Sequence, residues 1–385
     1  MESVKRNILL NPGPATTTDS VKYAQVVPDV CPREKEFCDL MQFVSFELTG
    51  LVAHPDAYTT VLFGGSGTAA VESVLSSVMT DGVIVIINNG AYGKRMCEIA
   101  DAYQLDWIEY QSKPDQPIQL DLLESFIQGL PQKVSYLAVV HNETTTGLLN
   151  DIEAIGTICL ENDIEMMVDA MSSFAAIPID MNKMNISYLA ASSNKNLQGM
   201  AGVSFVVAKN TELEKEIATK PTNYYLNLYL QYKYFIETGQ MRFTPPVQTI
   251  YALKQALIEL NDESIKDRYE RYSLLWETLI SGITRLGLKY LVPKEHHSKI
   301  ITAIVEPTCK NYDFNTMHDY FYDNGITIYP GKLKDMNSFR VANIGNLTKS
   351  DIDLFLSLLE KYLQSIGIET KEENLSSILY ETQED

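Results

Sequence analysis

Three short stretches of the chain carry groups suited to chemistry. The first is Gly64-Gly65-Ser66-Gly67-Thr68-Ala69-Ala70, between a β-rich run and a helical pattern. Glycines let the backbone turn tightly, and a helix start offers free N–H groups and partial positive charge to an anion such as phosphate. Ser66 and Thr68 add hydroxyl donors. The spacing Gly65-x-Gly67-x-x-Ala70 also fits a dinucleotide fingerprint loosely, but that reading needs a carboxylate at the end of the next strand to hold a ribose. The next strand ends Ile87-Asn88-Asn89-Gly90, with no carboxylate. A phosphate cup is therefore favoured over a dinucleotide site. The second stretch is Asp169, closing the run Ile164-Glu165-Met166-Met167-Val168. A carboxylate there can hold a ligand or cap the next helix, and alone it does not decide. The third is Lys195, which follows the small residues Ala190-Ala191-Ser192-Ser193-Asn194. Desolvation beside an apolar strand lowers an amine's pKa and makes it a nucleophile. Taken singly, a loop lysine is more often a solvated surface group.

These groups act together only if one scaffold gathers them. Residues 59–210 alternate β-rich runs at 60–63, 83–87, 105–110, 134–140, 164–168, 188–191 and 203–208 with helical periodicity at 68–79, 91–103 and 120–127. Strands apolar on both faces and separated by helices imply a parallel sheet covered on both sides, an open α/β layer fold. Such sheets bind ligands at the carboxyl ends of their strands. The glycine loop, Asp169 and Lys195 all fall there. A phosphate cup, a carboxylate and an amine on one sheet edge match what pyridoxal phosphate requires: an anchor, a partner for the pyridinium nitrogen and an amine for its aldehyde.

The pattern then changes. Residues 224–236 are tyrosine-rich, and 247–260 and 264–286 read as helices. Strand 300–306, helix 315–323, strands 326–329 and 338–342 and helix 350–366 follow, a smaller α+β domain. The expected organisation is an N-terminal segment and large domain over 1–264, a small domain over 265–367 and an acidic tail over 368–385.

Further motifs extend along nearly the whole chain, roughly residues 8–365. They are Asn11-Pro12-Gly13-Pro14, Cys31-Pro32-Arg33-Glu34, Asn89-Gly90-Ala91-Tyr92-Gly93, His141-Asn142-Glu143-Thr144-Thr145-Thr146-Gly147, Asp169-Ala170-Met171-Ser172-Ser173, Ser193-Asn194-Lys195, Arg242-Phe243-Thr244, Tyr329-Pro330-Gly331-Lys332 and Phe339-Arg340-Val341. In these the chain resembles the class V, fold type I aminotransferases that depend on pyridoxal phosphate, the group containing serine–pyruvate and alanine–glyoxylate transaminases. The resemblance implies a three-layer large domain with a mostly parallel seven-stranded sheet, a small C-terminal domain, and a homodimer with shared active sites. The runs at 141–147, 169–174 and 329–332 resemble the phosphonate-handling branch. That implies amino transfer from 2-aminoethylphosphonate to pyruvate, giving phosphonoacetaldehyde and L-alanine by a ping-pong route. By resemblance, Lys195 is the amine that condenses with the cofactor and Asp169 the partner of its ring nitrogen. Tyr92 and Met171 flank the ring, Thr144 reaches its hydroxyl, and Ser66, Gly67, Thr68 and Asn194 hold its phosphate with Thr244 of the neighbouring subunit. Arg340 binds the substrate's acid group. A phosphonate carries up to two charges, so a second cation is expected from Arg242, Arg33 or Lys332.

Net charge and composition bound the alternatives. The chain has 31 Lys and Arg against 50 Asp and Glu, a formal charge of −19. That excludes nucleic acid and anionic membrane as main partners, because both need a clustered positive footprint. Five cysteines, odd in number and with no CxxC pair, suit free thiols in the cytoplasm. No Cys/His spacing suggests a metal, and His296-His297 reads as a polar loop pair. The short apolar run 8–10 is too brief for a secretory leader. Three competing readings stand beside the main one. The chain could use serine or alanine with glyoxylate. It could be a cysteine desulfurase or lyase, with Cys309 the only cysteine in the second half available for that chemistry. It could be a non-enzymatic binding protein, against which intact Lys195 and Asp169 argue.

Overall fold

A computed structural model describes residues 3–78, 81–215, 222–331 and 336–368. Seven strands make the central sheet: β1 (Tyr58–Gly64), β2 (Val83–Asn88), β3 (Trp107–Gln111), β4 (Val134–Val140), β5 (Glu165–Asp169), β6 (Ile186–Ser192) and β7 (Val203–Lys209). Across the sheet they lie in the order β1-β7-β6-β5-β4-β2-β3. β7 runs antiparallel to both its neighbours, and the other pairs are parallel. The mostly parallel seven-stranded sheet expected from the sequence is present, with each strand within two residues of its expected ends.

Alternation along the strands explains the layers. Successive side chains point to opposite faces. Val85, Ile87, Leu137, Val168 and Leu189 enter one core with the helices Lys35–Gly50, Leu120–Gly129, Ile152–Glu161 and Val247–Glu263. Ile84, Ile86, Ala138, Met167 and Ala190 enter the other, with Gly67–Ser77 and Ala91–Ala102. Burying one such aliphatic side chain is worth about 1.5–3 kcal/mol, so both helical layers are fixed by the same strands. Asp169 is two residues past Met167 and therefore faces the second layer.

A smaller antiparallel sheet follows, with β8 (Ile301–Val305), β9 (Tyr329–Pro330) and β10 (Ser338–Ala342) in the order β8-β10-β9. The helices Ile265–Arg285, Phe314–Asp323 and Lys349–Ser365 pack on it around Phe321, Phe339 and Phe355. The strand expected over 326–329 is two pieces. Ile326–Thr327 pairs in parallel with Ile8–Leu9, and Tyr329–Pro330 turns away to pair with β10. Ile8 and Leu10 thereby enter the core of the small sheet. A partner more than 300 residues away leaves no local pattern in the sequence.

The reading of His296-His297 as a polar loop pair is half right. His296 ends the short 3-10 helix Lys294–His296, but His297 is buried with its ring 4.8 Å from that of Trp276. Burial holds its imidazole neutral, with the pKa pulled down to about 3. Of the expected tail, residues 369–385 lie outside the described residues, as does Lys332. No described helix is long and apolar enough to cross a membrane.

Gly156 tests the packing of the first layer. A Cβ there would fall inside contact distance of the Met184 carbonyl oxygen, a backbone atom that cannot swing aside. Alanine gains about 1 kcal/mol of helix propensity over glycine, while overpacking costs typically about 1–3 kcal/mol. Packing should win: Gly156→Ala is expected to lower the urea midpoint and the melting temperature.

Candidate active site

The carboxyl ends of β1, β2, β4, β5 and β6 open on one edge. β1 runs into Gly65-Ser66, and Ser66 sits at the N-terminus of the helix Gly67–Ser77 without a side-chain cap bond. The Gly65 amide is tied to the Gly202 carbonyl at 2.9 Å, which pins the turn against the start of β7. A Cβ on Gly67 would lie 2.9 Å from Met171 Cγ, so the glycine leaves the room that the Met171 side chain fills. Lys195 follows β6 and donates from Nζ to the Pro12 carbonyl at 2.5 Å. Gly13 lies beside it with φ +130°, and any Cβ there would meet the lysine amine at 2.5 Å. The N-terminal Asn11-Pro12-Gly13-Pro14 run thus closes over Lys195. Asn194 accepts from Ser192 Oγ at 3.0 Å, and its carbonyl accepts from the Ala15 amide.

Asp169 lies at the floor of a cavity whose walls include Gly67, Thr68, Tyr92, Arg95 and Met171. Its Oδ1 accepts from the Met171 amide at 2.9 Å. Burial pushes its carboxyl up to about 6, with Glu143 adding in the same direction and the Met171 amide, Arg95 and Lys195 opposing. Arg95 reaches Thr68 Oγ1 at 3.4 Å and lies 4.9 Å from the centre of the Tyr92 ring.

A second buried group joins β4 to the small sheet. Glu143 is fully buried and accepts from the Thr145 hydroxyl at 2.6 Å, the Thr145 amide at 3.1 Å and the Tyr92 amide at 3.2 Å. Burial pushes its carboxyl up, against these donors and the Gly93 amide. Arg340, on β10, is 1% exposed. Its Nε donates to the Pro330 carbonyl at 2.9 Å, one Nη to the Thr144 carbonyl at 3.3 Å, and it bonds the Tyr92 side chain. Burial pulls its guanidinium down, while the hydroxyls of Tyr92 and Tyr329 and the charge of Glu143 oppose. Thr144 Oγ1 is buried with no partner among the described residues.

The structure thus gathers Ser66, Gly67, Thr68, Tyr92, Thr144, Asp169, Met171, Asn194, Lys195 and Arg340 along one edge, through the contacts given above. Arg33 and Arg242 form a separate group. Arg33 donates to the Gln240 side chain and the Met241 carbonyl, and Arg242 lies on the rings of Tyr224 and Phe243. None of these partners is one that Arg340 uses. Thr244 stands exposed beside them.

A family model described as Aminotransferase class-V matches residues 20–345. The chain belongs to the class V aminotransferases. It is 37% identical over 359 residues to the 2-aminoethylphosphonate–pyruvate transaminase of Vibrio vulnificus, covering 92% of this chain and 97% of that one. It is 38% identical to the enzyme of the same name from Klebsiella pneumoniae, over 92% of this chain and 96% of that one. Among solved structures, the alanine–glyoxylate aminotransferase of Nostoc sp. superposes with a TM-score of 0.87 at 26% identity, covering 94% of this chain and 96% of that chain.

Two residues of this aminotransferase's site, Arg95 in the cavity wall and Glu143 behind it, carry no role in the sequence analysis. Arg95 is one helical turn from Tyr92, a spacing that puts both on one helix face and is legible in the sequence. Glu143 lay inside a recognised run, yet nothing local says that it is buried or which amides it meets.

Asp169 gives a test with a definite sign. Its folded carboxyl, near 6, lies above the ordinary 3.8. Its contribution to stability is fully present below pH 3.8 and lost as pH rises through about 6. The gap corresponds to about 3 kcal/mol. In the cofactor-free protein, Asp169→Asn should therefore raise the melting temperature at pH 7.5 but not at pH 4. A melting series across that range reads it directly.

Proposed function

We propose that the chain is a 2-aminoethylphosphonate–pyruvate transaminase that uses pyridoxal phosphate to carry the amino group, yielding phosphonoacetaldehyde and L-alanine. The observation that carries this reading is Arg340. It is a buried cation whose hydrogen bonds go to carbonyls and Tyr92, with no carboxylate ion pair among the described residues. A buried charge is costly unless paired, so such a guanidinium calls for an acid from outside. The relatives at 37 and 38% identity, named for that reaction, support the choice of acid.

The residues at the sheet edge fit the cofactor. Thr144 Oγ1 is a buried hydroxyl without a partner among the described residues, suited to a ring hydroxyl. Ser66, Gly67 and Thr68 begin a helix whose cap residue leaves its first amides to another acceptor, suited to phosphate. Pyridoxal phosphate, when bound, supplies an aldehyde for the donor nitrogen and an electron-poor ring that stabilises charge on the adjacent carbon. Asp169 accepts the ring N–H and holds that proton in place. Tyr92 and Met171, which line the cavity, would flank the ring, and Asn194 would help hold the phosphate. Lys195 Nζ would hold the cofactor between turnovers and, once freed, would carry a proton from the donor's amine-bearing carbon to the carbon that bore the cofactor's aldehyde, and the reverse in the second half-reaction. Arg340 holds phosphonate in one half-reaction and carboxylate in the other, through paired N–H groups.

The site is completed across a homodimer. Thr244, exposed on its own chain, reaches the neighbouring phosphate, and Arg33, Arg242 or Lys332 supplies the second cation for the phosphonate. Five free thiols suit a cytoplasmic enzyme.

An amino-donor screen decides the substrate. Turnover with 2-aminoethylphosphonate and pyruvate is expected, and activity with alanine and glyoxylate alone would overturn the choice. Arg340→Ala should lower kcat/KM for both acids by at least about 30-fold, the equivalent of roughly 2 kcal/mol. Mixing inactive Lys195→Ala with inactive Thr244→Ala subunits should restore activity in hybrid dimers. No recovery in verified heterodimers would show that the site is not shared.

A further inference from the structure

The helix Ala91–Ala102 carries Tyr92 and Arg95, two walls of the cavity. A helix start leaves several amides without an acceptor, and a side chain at the capping position ordinarily serves them. Here that position is Gly90, which has no side chain. The Tyr92 and Gly93 amides are served instead by the carboxylate of Glu143, 53 residues further on than Gly90. A carboxylate at a helix start also meets the favourable end of the helix dipole. The two positions exclude each other: a Cβ on Gly90 would lie 2.5 Å from Glu143 Cγ and 2.6 Å from Oε2. Glu143 cannot easily move aside, because Thr145 donates to it from both its amide and its hydroxyl. Gly90 itself is extended, with φ 166° and ψ −171°. The absence of a side chain at Gly90 thus answers to the space Glu143 occupies.

We propose that Glu143 is a positioning residue that caps the helix Ala91–Ala102 from a different strand end, and so fixes Tyr92 and Arg95 in the cavity wall. The residue after Glu143 offers the carbonyl to which Arg340 donates, and Arg340 also bonds the Tyr92 side chain. One carboxylate therefore ties the helix start after β2 to the turn after β4, and both to the substrate-facing arginine of the small sheet. The cap itself does not depend on the proposed reaction. Only the consequence for cofactor binding rests on it.

The test is a double-mutant cycle with Gly90→Ser, which would supply a local cap. In the wild-type background the serine Cβ collides with Glu143, so Gly90→Ser should lower the melting temperature. Glu143→Ala removes the cap and should lower it by at least about 2 °C. In the Glu143→Ala background the space is open, and Gly90→Ser should now raise it. The sign of one substitution thus reverses with the other. Melting of the full-length protein without added cofactor reads this arm. Titration of the same four proteins with pyridoxal phosphate, followed by its visible absorbance, reads the second: affinity should fall in both single variants and recover in the double. Glu143→Gln, which keeps an acceptor, should lie between wild type and Glu143→Ala in both readouts. Additive effects in the melting cycle would overturn the cap. Sign reversal in melting with no change in cofactor affinity would keep the cap but overturn its role in positioning the wall. Failure of all four proteins to bind pyridoxal phosphate, with the melting cycle intact, would count instead against the proposed cofactor.

Discussion

Asp169 and Glu143 are buried at the carboxyl edge of the large sheet, with Arg340 of the small sheet buried against them, and the cost of burying these charges shapes the site. An isolated buried charge is expensive, so each must be met by donors, acceptors or a ligand. Glu143 is met by backbone amides and a hydroxyl, and its task is complete within the protein. Among the described residues Asp169 has one such donor, the Met171 amide, and a raised pKa, so a protonated ring nitrogen would relieve it. Arg340 has acceptors but no counter-ion pair among the described residues, so an acid would relieve it. The gradation from fully met to half met separates the group that builds the site from those that await a ligand.

Close approach is the second constraint. Gly13, Gly67 and Gly90 stand where Lys195, Met171 and Glu143 press against the backbone, and a single methyl at any of them would collide. These glycines matter less for turning the chain than for the room they leave. A protein with a charge of −19 cannot draw anionic ligands by its overall field, since exposed charges are screened within about 8 Å. Binding must rest on local groups: a helix start at Gly67, Lys195 and Arg340.

Much of the large sheet was legible because its strands are short runs of Val and Ile whose two faces are both buried. The periodicity that gives strand and helix is local, so Val134–Val140 and Val203–Lys209 were read to within a residue. The pairing of Ile8–Leu9 with Ile326–Thr327 was not legible, because two residues carry no period and their partner is far along the chain. His297 was misjudged for a related reason. Its burial depends on Trp276, which arrives from another helix.

The sequence by itself determined the scaffold and the chemical types at its edge: a glycine-rich helix start, a carboxylate after one strand and an amine after another. Those follow from residue identity and spacing along single elements. Tertiary structure alone decided the environment of each group. It left Thr144 Oγ1 without a partner among the described residues, set Arg340 against the Thr144 carbonyl, and moved the cap of the helix Ala91–Ala102 from Gly90 to Glu143. Burial and charge compensation depend on which distant residues share a volume, and that is fixed only when the layers pack.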